Sequence, residues 1–204
     1  MRFYKNLKDD LHCFQAAIKI VLSKHYPNKE FSFSQINRAT GFKKNSATWD
    51  SRGLLWLTKQ GFEIERISDF DYHRFAKQGE KYLKWFWRPD VYEWQSKNAN
   101  FNKEQEAVKA LLPYISHTFR KATIRDIERA YMHGYDIIAS VNARMLDRRK
   151  GYTNHSVVVV GITKLFITFH DPGLPPEPNR RVSKRRFGKA LSEVIALRQI
   201  AKQK

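Results

Sequence analysis

Residues 10–17 read Asp-Leu-His-Cys-Phe-Gln-Ala-Ala, and they carry the chain's one cysteine, Cys13. Apolar residues repeat at helical spacing through and beyond this stretch, at Leu11, Phe14, Ile18, Val21 and Leu22. With Asp10 as the N-cap, the pattern predicts a helix from about residue 11 to residue 25. Cys13 falls in its first turn, where the positive end of the helix dipole favours a thiolate nucleophile. A small buried apolar residue is the other interpretation of a lone cysteine, and both stay open on this segment alone.

A second segment, residues 154–161, reads Asn-His-Ser-Val-Val-Val-Val-Gly and predicts a buried strand with His155 at its start. The strand candidate that follows, residues 164–170, runs directly into Asp171. The short Gly-Ile-Thr-Lys connection indicates that the two strands form a hairpin. An acid at the end of the neighbouring strand can reach the imidazole, orient the ring and stabilise the imidazolium. We therefore predict a catalytic group of Cys13, His155 and Asp171, with the fold bringing the distant cysteine to the other two.

Four segments together resemble a known family, the papain-like peptidases that trim double-glycine leaders from bacteriocin precursors, and their stand-alone relatives. They are residues 10–17, the segment from Gly134 through residues 137–142, residues 154–161, and residues 170–173, followed by Val182-Ser183 and Phe187. The resemblance implies an α+β, papain-like (cysteine proteinase) fold whose N-terminal catalytic helix packs on an antiparallel sheet. It also implies Cys13 as nucleophile, His155 as general base and acid, and Asp171 as orienting group, acting through a thioester. No cofactor or metal is implied, and we expect one domain over residues 1–204.

The oxyanion hole is where the sequence departs from the family pattern. The family has glycine directly after the cysteine and a glutamine several positions before it, and this chain has Phe14 and Leu7 at those places. Asn6, one residue away, and Gln15, within the helix, are the side chains that we expect to replace the missing donor. The backbone N–H of Cys13 should contribute as well.

The composition argues against several other classes of protein. Hydrophobic residues make up 42% of the 204 residues and aromatic residues 14%, as in a folded globule rather than a disordered chain. One cysteine excludes a scaffold built on intrachain disulfides. The lack of a long apolar run predicts a protein without membrane spans, which we expect in the cytoplasm. The histidines are scattered without the spacing of metal ligands, which predicts no metal site.

The net charge of +18 attracts polyanions and acidic proteins, and two further hypotheses rest on it. One is an acyltransferase on the same fold that takes acyl groups from an acidic carrier protein, since His12-Cys13 also resembles an acyltransferase of antibiotic biosynthesis. The other is a catalytically inactive module that binds an acidic partner such as nucleic acid through the basic surface. The ordered Cys, His and Asp residues favour a peptidase or amidase with a peptide or acyl-amide substrate.

Two regions are harder to assign. Residues 71–102 interleave aromatic and basic residues, and Pro89 interrupts them, so we predict an irregular or partly helical insertion. Its aromatic residues would pack on the core, stack on bases in a basic groove, or line the substrate cleft. Residues 183–199, with Arg180 and Arg181 before them, predict a basic C-terminal helix that is either a solvated face or a docking patch. Helices precede strands in this organisation, which is an α+β layout.

Overall fold

The computed structural model of the protein describes residues 1–44 and 48–200. In these residues the helices are α1 (Cys13–His25), α2 (Phe33–Thr40), α3 (Ser51–Lys59), α4 (Tyr72–Gln78), α5 (Glu80–Phe86), α6 (Pro89–Asn98), α7 (Phe101–Leu111), α8 (Ile124–Met132), α9 (Ala143–Leu146) and α10 (Lys184–Ala190), with a 3-10 turn at Leu112–Tyr114. The strands are β1 (Phe62–Ser68), β2 (Ile115–Phe119), β3 (Asp136–Asn142), β4 (Asn154–Ile162), β5 (Phe166–Asp171), β6 (Glu177–Ser183) and β7 (Leu191–Gln199). Within the described ranges, every helix is too short or too polar to cross a lipid bilayer.

The strands form one sheet in the order β2-β1-β7-β3-β4-β5-β6. Neighbouring strands are antiparallel except β1 and β2, which run parallel. The last strand in the sequence, β7, lies between β1 and β3 and pairs with both. Every residue of β3 is buried, because this central strand has paired neighbours and both of its faces are covered.

Helix α1 packs on one face of the sheet, mainly against β4. Ala16 and Ala17 are 0% exposed, and their small side chains let the helix approach the strand closely. Alternate residues of the central strands, Ile138, Val158 and Ile195, join this core. Their neighbours in sequence face the opposite side, into a second core that includes α8 and α10. Each buried aliphatic side chain contributes roughly 1.5–3 kcal/mol, so this burial fixes the N-terminus of α1 relative to β4.

The aromatic-rich insertion forms a third hydrophobic cluster. Helices α4, α5 and α6 cover most of residues 71–102, so the predicted segment is helical rather than irregular. Pro89 begins α6 instead of breaking a helix, since a first-turn residue needs no N–H donor. Phe70 lies at the centre of the cluster, with its ring against those of Tyr72, Phe75, Tyr82, Phe86 and Trp87. Most of the aromatic residues of the insertion thus pack on one another.

Two predicted boundaries were wrong. The basic helix predicted over residues 183–199 ends at Ala190, and the remainder is the strand β7. Residues 194–197 are buried inside the sheet, and this tertiary burial overrides the helical propensity of alanine and leucine. Asp10 does not cap α1, which begins at Cys13. Its φ of 56° places Asp10 in the left-handed region, in the turn before the helix.

Candidate active site

The thiol of Cys13 meets the imidazole of His155 where α1 packs against β4. Cys13 is the first residue of α1 and is partly exposed, whereas His155 lies near the start of β4 and is buried. The two side chains are neighbours, and each shifts the pKa of the other. Burial raises the pKa of the thiol, but the hydrogen bond and positive charge of His155, with hydrogen bonds from Ser156, bring the pKa of Cys13 below its ordinary value. The helix terminus and the base therefore both favour a thiolate.

Asp171 holds the other side of the same imidazole. Its Oδ1 lies 2.7 Å from Nε2 of His155, which leaves Nδ1 for the thiol. Burial lowers the pKa of His155, but hydrogen bonds to Asp171 and Cys13 and their negative charges raise it to about 10. At neutral pH the arrangement therefore favours a thiolate beside an imidazolium. The structure brings together the three residues that the sequence analysis singled out.

Arg180 extends this hydrogen-bond network beyond Asp171. Its Nη1 donates to Oδ2 of Asp171 at 2.7 Å, and its Nη2 donates to Oδ1 of Asp147 at 2.6 Å. The backbone N–H of Gly173 donates to Oδ1 of Asp171 at 3.0 Å. Burial favours the protonated form of Asp171, but bonds from His155, Arg180 and Gly173 lower its pKa, so the carboxylate stays ionised. A charged Asp171 is what holds the imidazolium in place.

The contact of Arg180 with Asp171 is not predicted from the sequence, in which Arg180 belongs to a run of basic residues near the C-terminus. The side chain reaches Asp171 because β6 pairs with β5 in a register that sets Phe169 opposite Arg180. Nothing in the local sequence distinguishes Arg180 from Arg181, its neighbour. Only a prediction of β6 and of its register would have identified it.

Asn6, one of the two proposed oxyanion donors, braces the loop before α1. Its side chain is buried, and its Oδ1 accepts from the backbone N–H groups of Leu7 at 2.9 Å and His12 at 2.8 Å. Its Nδ2 donates to Oδ1 of Asp10 at 2.8 Å, and its backbone N–H donates to the carbonyl of Pro172 at 2.7 Å. Asn6 therefore ties the residues before the nucleophile to the strand end that carries the acid.

Gln15, the other proposed donor, contacts α2. It is fully buried, and its Nε2 donates to Oγ1 of Thr40 at 3.2 Å. Its Oε1 has no hydrogen-bond partner among the described residues, and an acceptor of this kind does not stabilise an oxyanion. An oxyanion role for Asn6 or Gln15 stays a prediction. The fold itself supplies the backbone N–H of Cys13, which has no acceptor within the helix because Cys13 is its first residue.

A cleft of about 490 Å³ opens beside Cys13. Its walls are rich in aromatic and acidic side chains, namely Trp49, Phe70, Tyr72, Phe86, Trp87, Trp94 and Tyr152 together with Asp10, Asp50, Asp69 and Glu193. Phe86 comes from α5 and Trp94 from α6, so the insertion lines this cleft as well as packing on itself. That is one of the three arrangements that its composition allowed.

The buried cation of this cleft is Arg66, which is 1% exposed. Its Nη1 and Nη2 donate to the two carboxylate oxygens of Asp50 at 3.0 and 2.5 Å, and its Nε donates to Glu193. The guanidinium carbon lies 3.8 Å from the centre of the Tyr72 ring. Burial and the negative charges of Asp50 and Asp69 raise the pKa of Glu193 to about 7, against the opposing effect of Arg66.

A second cavity, of about 460 Å³, is lined by His155, Asp171 and Arg180. Within residues 1–44 and 48–200, no three His, Cys, Asp or Glu side chains converge in a way that could hold a metal ion.

Comparison with known proteins supports the fold through structure rather than sequence. No protein-family model and no curated protein matches the sequence. The peptidase domain of Streptococcus ComA, described as a bi-functional ABC transporter involved in a quorum-sensing pathway, is similar over 97% of this chain and 97% of that chain, with a TM-score of 0.55 and 15% sequence identity. The chain has a papain-like peptidase fold. The predicted α+β fold class is thereby confirmed.

A C39-like peptidase from Bacillus anthracis is similar over 48% of this chain and 57% of that chain, with a TM-score of 0.33 and 18% identity. This likeness is too partial to support a shared fold. The likeness to the ComA domain concerns the fold alone, so the chemistry of this chain has to be argued from its own side chains.

Proposed function

We propose that the protein is a thiol hydrolase, a cysteine peptidase or amidase-like enzyme that works through an acyl-enzyme thioester on Cys13. One observation carries the proposal: the imidazole of His155 neighbours the thiol of Cys13, whose pKa it lowers, and its Nε2 lies 2.7 Å from Oδ1 of Asp171. A nucleophile, a base and a group that orients the base are the parts that acyl transfer requires. The fold shared with the ComA peptidase domain supports the same class of reaction.

In the acylation step, the thiolate of Cys13 attacks the carbonyl carbon of an amide. The negative charge that develops on the carbonyl oxygen is stabilised by the backbone N–H of Cys13 at the positive end of α1. The imidazolium of His155 gives its Nδ1 proton to the leaving nitrogen, and the C–N bond breaks. Asp171 remains bonded to Nε2 throughout, so the ring keeps its orientation while it loses a proton.

In the deacylation step, neutral His155 takes a proton from a water molecule, whose oxygen attacks the thioester carbonyl. The C–S bond breaks, the carboxylic acid leaves, and Cys13 returns to the thiolate beside the imidazolium. An amine in place of water would give a new amide by the same steps, which is the acyltransferase alternative. The acceptor that reaches the thioester therefore separates the two activities.

The rate of Cys13 alkylation by iodoacetamide, measured against pH, tests the proposal. Because the chain has one cysteine, mass spectrometry reads the reaction without ambiguity. We expect the wild type to react well below pH 8, since His155 holds the thiolate. The His155→Ala variant should react only near the ordinary thiol pKa of about 8.5.

His133→Ala is the matched control, because His133 is exposed and its Nδ1 contacts the carbonyl of Arg129 at 2.7 Å, on α8 and outside the site. That variant should retain the wild-type profile. If wild type and His155→Ala both react only near the ordinary thiol pKa, or if Cys13 is inert in both, no thiolate–imidazolium pair exists and the proposed function is wrong.

A further inference from the structure

The charge of the cleft beside Cys13 is opposite in sign to the charge of the whole chain. The sequence carries a net charge of +18, yet among the described residues that line the cleft Arg66 is the single basic one and four are acidic. Building on the proposed function, we propose that this cleft receives a positively charged side chain of the substrate, a lysine or an arginine. Asp69 is the specificity-determining residue that pairs with it.

The carboxylates of the cleft exceed the charge available to balance them. Arg66 is shared between Asp50 and Glu193. Asp69 lines the same cleft, is exposed, and forms no ion pair with any other described residue. Burial raises the pKa of both Glu193 and Tyr152, and the negative charge of Asp69 adds to that effect. A cation bound beside Asp69 would relieve this excess of negative charge.

The aromatic walls suit the remainder of a lysine or arginine side chain. Trp94 and Tyr152 are 54% and 67% exposed at the cleft, with Trp49 and Trp87 also in its lining. Indole and phenol faces attract ammonium and guanidinium groups, and they also pack against the methylene stem that carries the charge. An anionic side chain would gain from neither the carboxylates nor the ring faces.

An independent observation points to a donor-bearing ligand. Gln15 also lines the cleft, and its side chain is 0% exposed. No described residue donates to its Oε1, although its Nε2 is bonded to Thr40. A buried acceptor without a donor is destabilising, because it has lost its hydrogen bonds to water and gained none in the protein. An ammonium carries three N–H donors and a guanidinium five, so either can supply the missing bond.

The cation is an organic group rather than a metal ion. In the part of the chain that the structure describes, His, Cys, Asp and Glu side chains form no cluster of metal-ligand geometry. The four acidic residues are instead spread along a cleft of about 490 Å³, which fits an elongated side chain.

Covalent labelling of Cys13 with tripeptidyl chloromethyl ketones tests the inference. The thiolate displaces chloride, and the reagents differ at one position, which carries lysine, norleucine or glutamate in turn. We expect the best lysine reagent to react about tenfold faster than its norleucine counterpart and the glutamate reagent to be slowest. Asp69→Asn should reduce the lysine preference, the ratio of the lysine rate to the norleucine rate, by about fivefold.

Glu106→Gln is the matched control, because Glu106 is an exposed acid on α7 that pairs with Lys109 outside the cleft. It removes the same charge and should leave the lysine preference intact. Equal lysine and norleucine rates in the wild type, at every position, would overturn the inference. So would a lysine preference that Asp69→Asn and Glu106→Gln reduce equally.

Binding without chemistry separates this inference from the proposed function. In Cys13→Ala, the tryptophans of the cleft report the binding of the matching tripeptide amides through their fluorescence. Tighter binding of the lysine amide than of the norleucine amide supports the inference even if Cys13 of the wild type is inert. Equal affinity of the two amides would overturn it even if Cys13 is a reactive thiolate.

Discussion

The two cavities beside Cys13 and His155 differ in how their charges are balanced. On the His155 side, the described lining holds four arginines and four acidic residues. Asp171 bonds to His155 and to Arg180, and Arg180 also holds Asp147 at 2.6 Å and approaches Glu177 at 3.4 Å. Such a closed set of ion pairs fixes one geometry, which is what the orientation of a general base requires.

On the Cys13 side, the balance is incomplete. Asp50 and Glu193 compete for one guanidinium, and Asp69 faces the same cleft. Under the two proposals the contrast separates two tasks: the balanced side would orient His155, and the unbalanced side would be completed by a ligand. Substitutions on each side, taken below in order of expected effect, test this division.

The largest effect is expected from Arg66→Met, which removes the one basic side chain among the described residues of the cleft. Asp50 and Glu193 would then be left as partly buried charges without a partner, while Asp50 keeps some contact with solvent. We expect the free energy of unfolding to fall by about 3 kcal/mol. Urea unfolding of the variant and the wild type measures this directly.

Arg198→Met is the control, since Arg198 pairs with Glu63 on the surface, where solvent screens an ion pair and its contribution to stability is small. A triple variant that combines Arg66→Met with Asp50→Asn and Glu193→Gln should recover much of the lost stability, because it removes the unpaired charges as well. If Arg66→Met and Arg198→Met lowered the free energy of unfolding by the same small amount, the ion pairs of Arg66 would not stabilise the cleft.

The second prediction concerns the balanced side. Arg180 helps to keep the pKa of Asp171 low. Without it that pKa rises, so on acidification Asp171 takes up its proton at a higher pH and the imidazolium loses its partner there. For Arg180→Met we expect the acid limb of the iodoacetamide profile to move to higher pH by about one unit. The contribution of ionised Asp171 to stability, present above its unfolded pKa, should be lost at correspondingly higher pH on acidification.

Arg181→Met is the natural control on the same strand, because Arg181 faces away from Asp171 and stacks on Phe166 at 4.1 Å. Its alkylation profile should match that of the wild type. An unchanged profile for Arg180→Met would mean that His155 and Gly173 suffice to hold Asp171 ionised.

The two sides also differ in how far the sequence predicts them. Cys13, His155 and Asp171 each lie at the end of a regular element, and short local patterns locate those ends. Helix and strand periodicity therefore placed them without knowledge of the sheet. Periodicity does not predict the role of Arg180, because its contact with Asp171 depends on the register between β5 and β6.

The acidic cleft could not be predicted from the sequence, because its charged residues come from separate elements that meet only in the folded sheet. Asp50 precedes α3, Arg66 lies in β1, and Glu193 lies in β7. They meet only because β7 pairs with β1, and residues 191–199 had been predicted as part of a helix. Alanine and leucine in that segment favour a helix locally, whereas insertion between two strands buries them in the sheet. The fold class needed no such detail, since the order of helices and strands is a local property.

The smallest expected effect belongs to the aromatic rim of the unbalanced cleft. Trp94→Ala removes one ring face but none of the carboxylates, so we expect the preference of Cys13 for the lysine reagent over norleucine to fall about threefold. Because Trp94 is 54% exposed, the free energy of unfolding should change by about 0.5 kcal/mol or less. The measurement is the ratio of the two labelling rates, accompanied by urea unfolding.

Trp85→Ala is the control for Trp94→Ala. Trp85 belongs to the same insertion, is 63% exposed, and stacks against Arg74 at 4.1 Å without lining the cleft. Its loss should leave the labelling ratio at the wild-type value. Equal effects of the two substitutions would mean that the rings act only through the packing of the insertion. A fall confined to Trp94→Ala, smaller than that of Asp69→Asn, would rank the carboxylate above the ring as the source of selectivity, since a full charge acts more strongly on a cation than a ring quadrupole does.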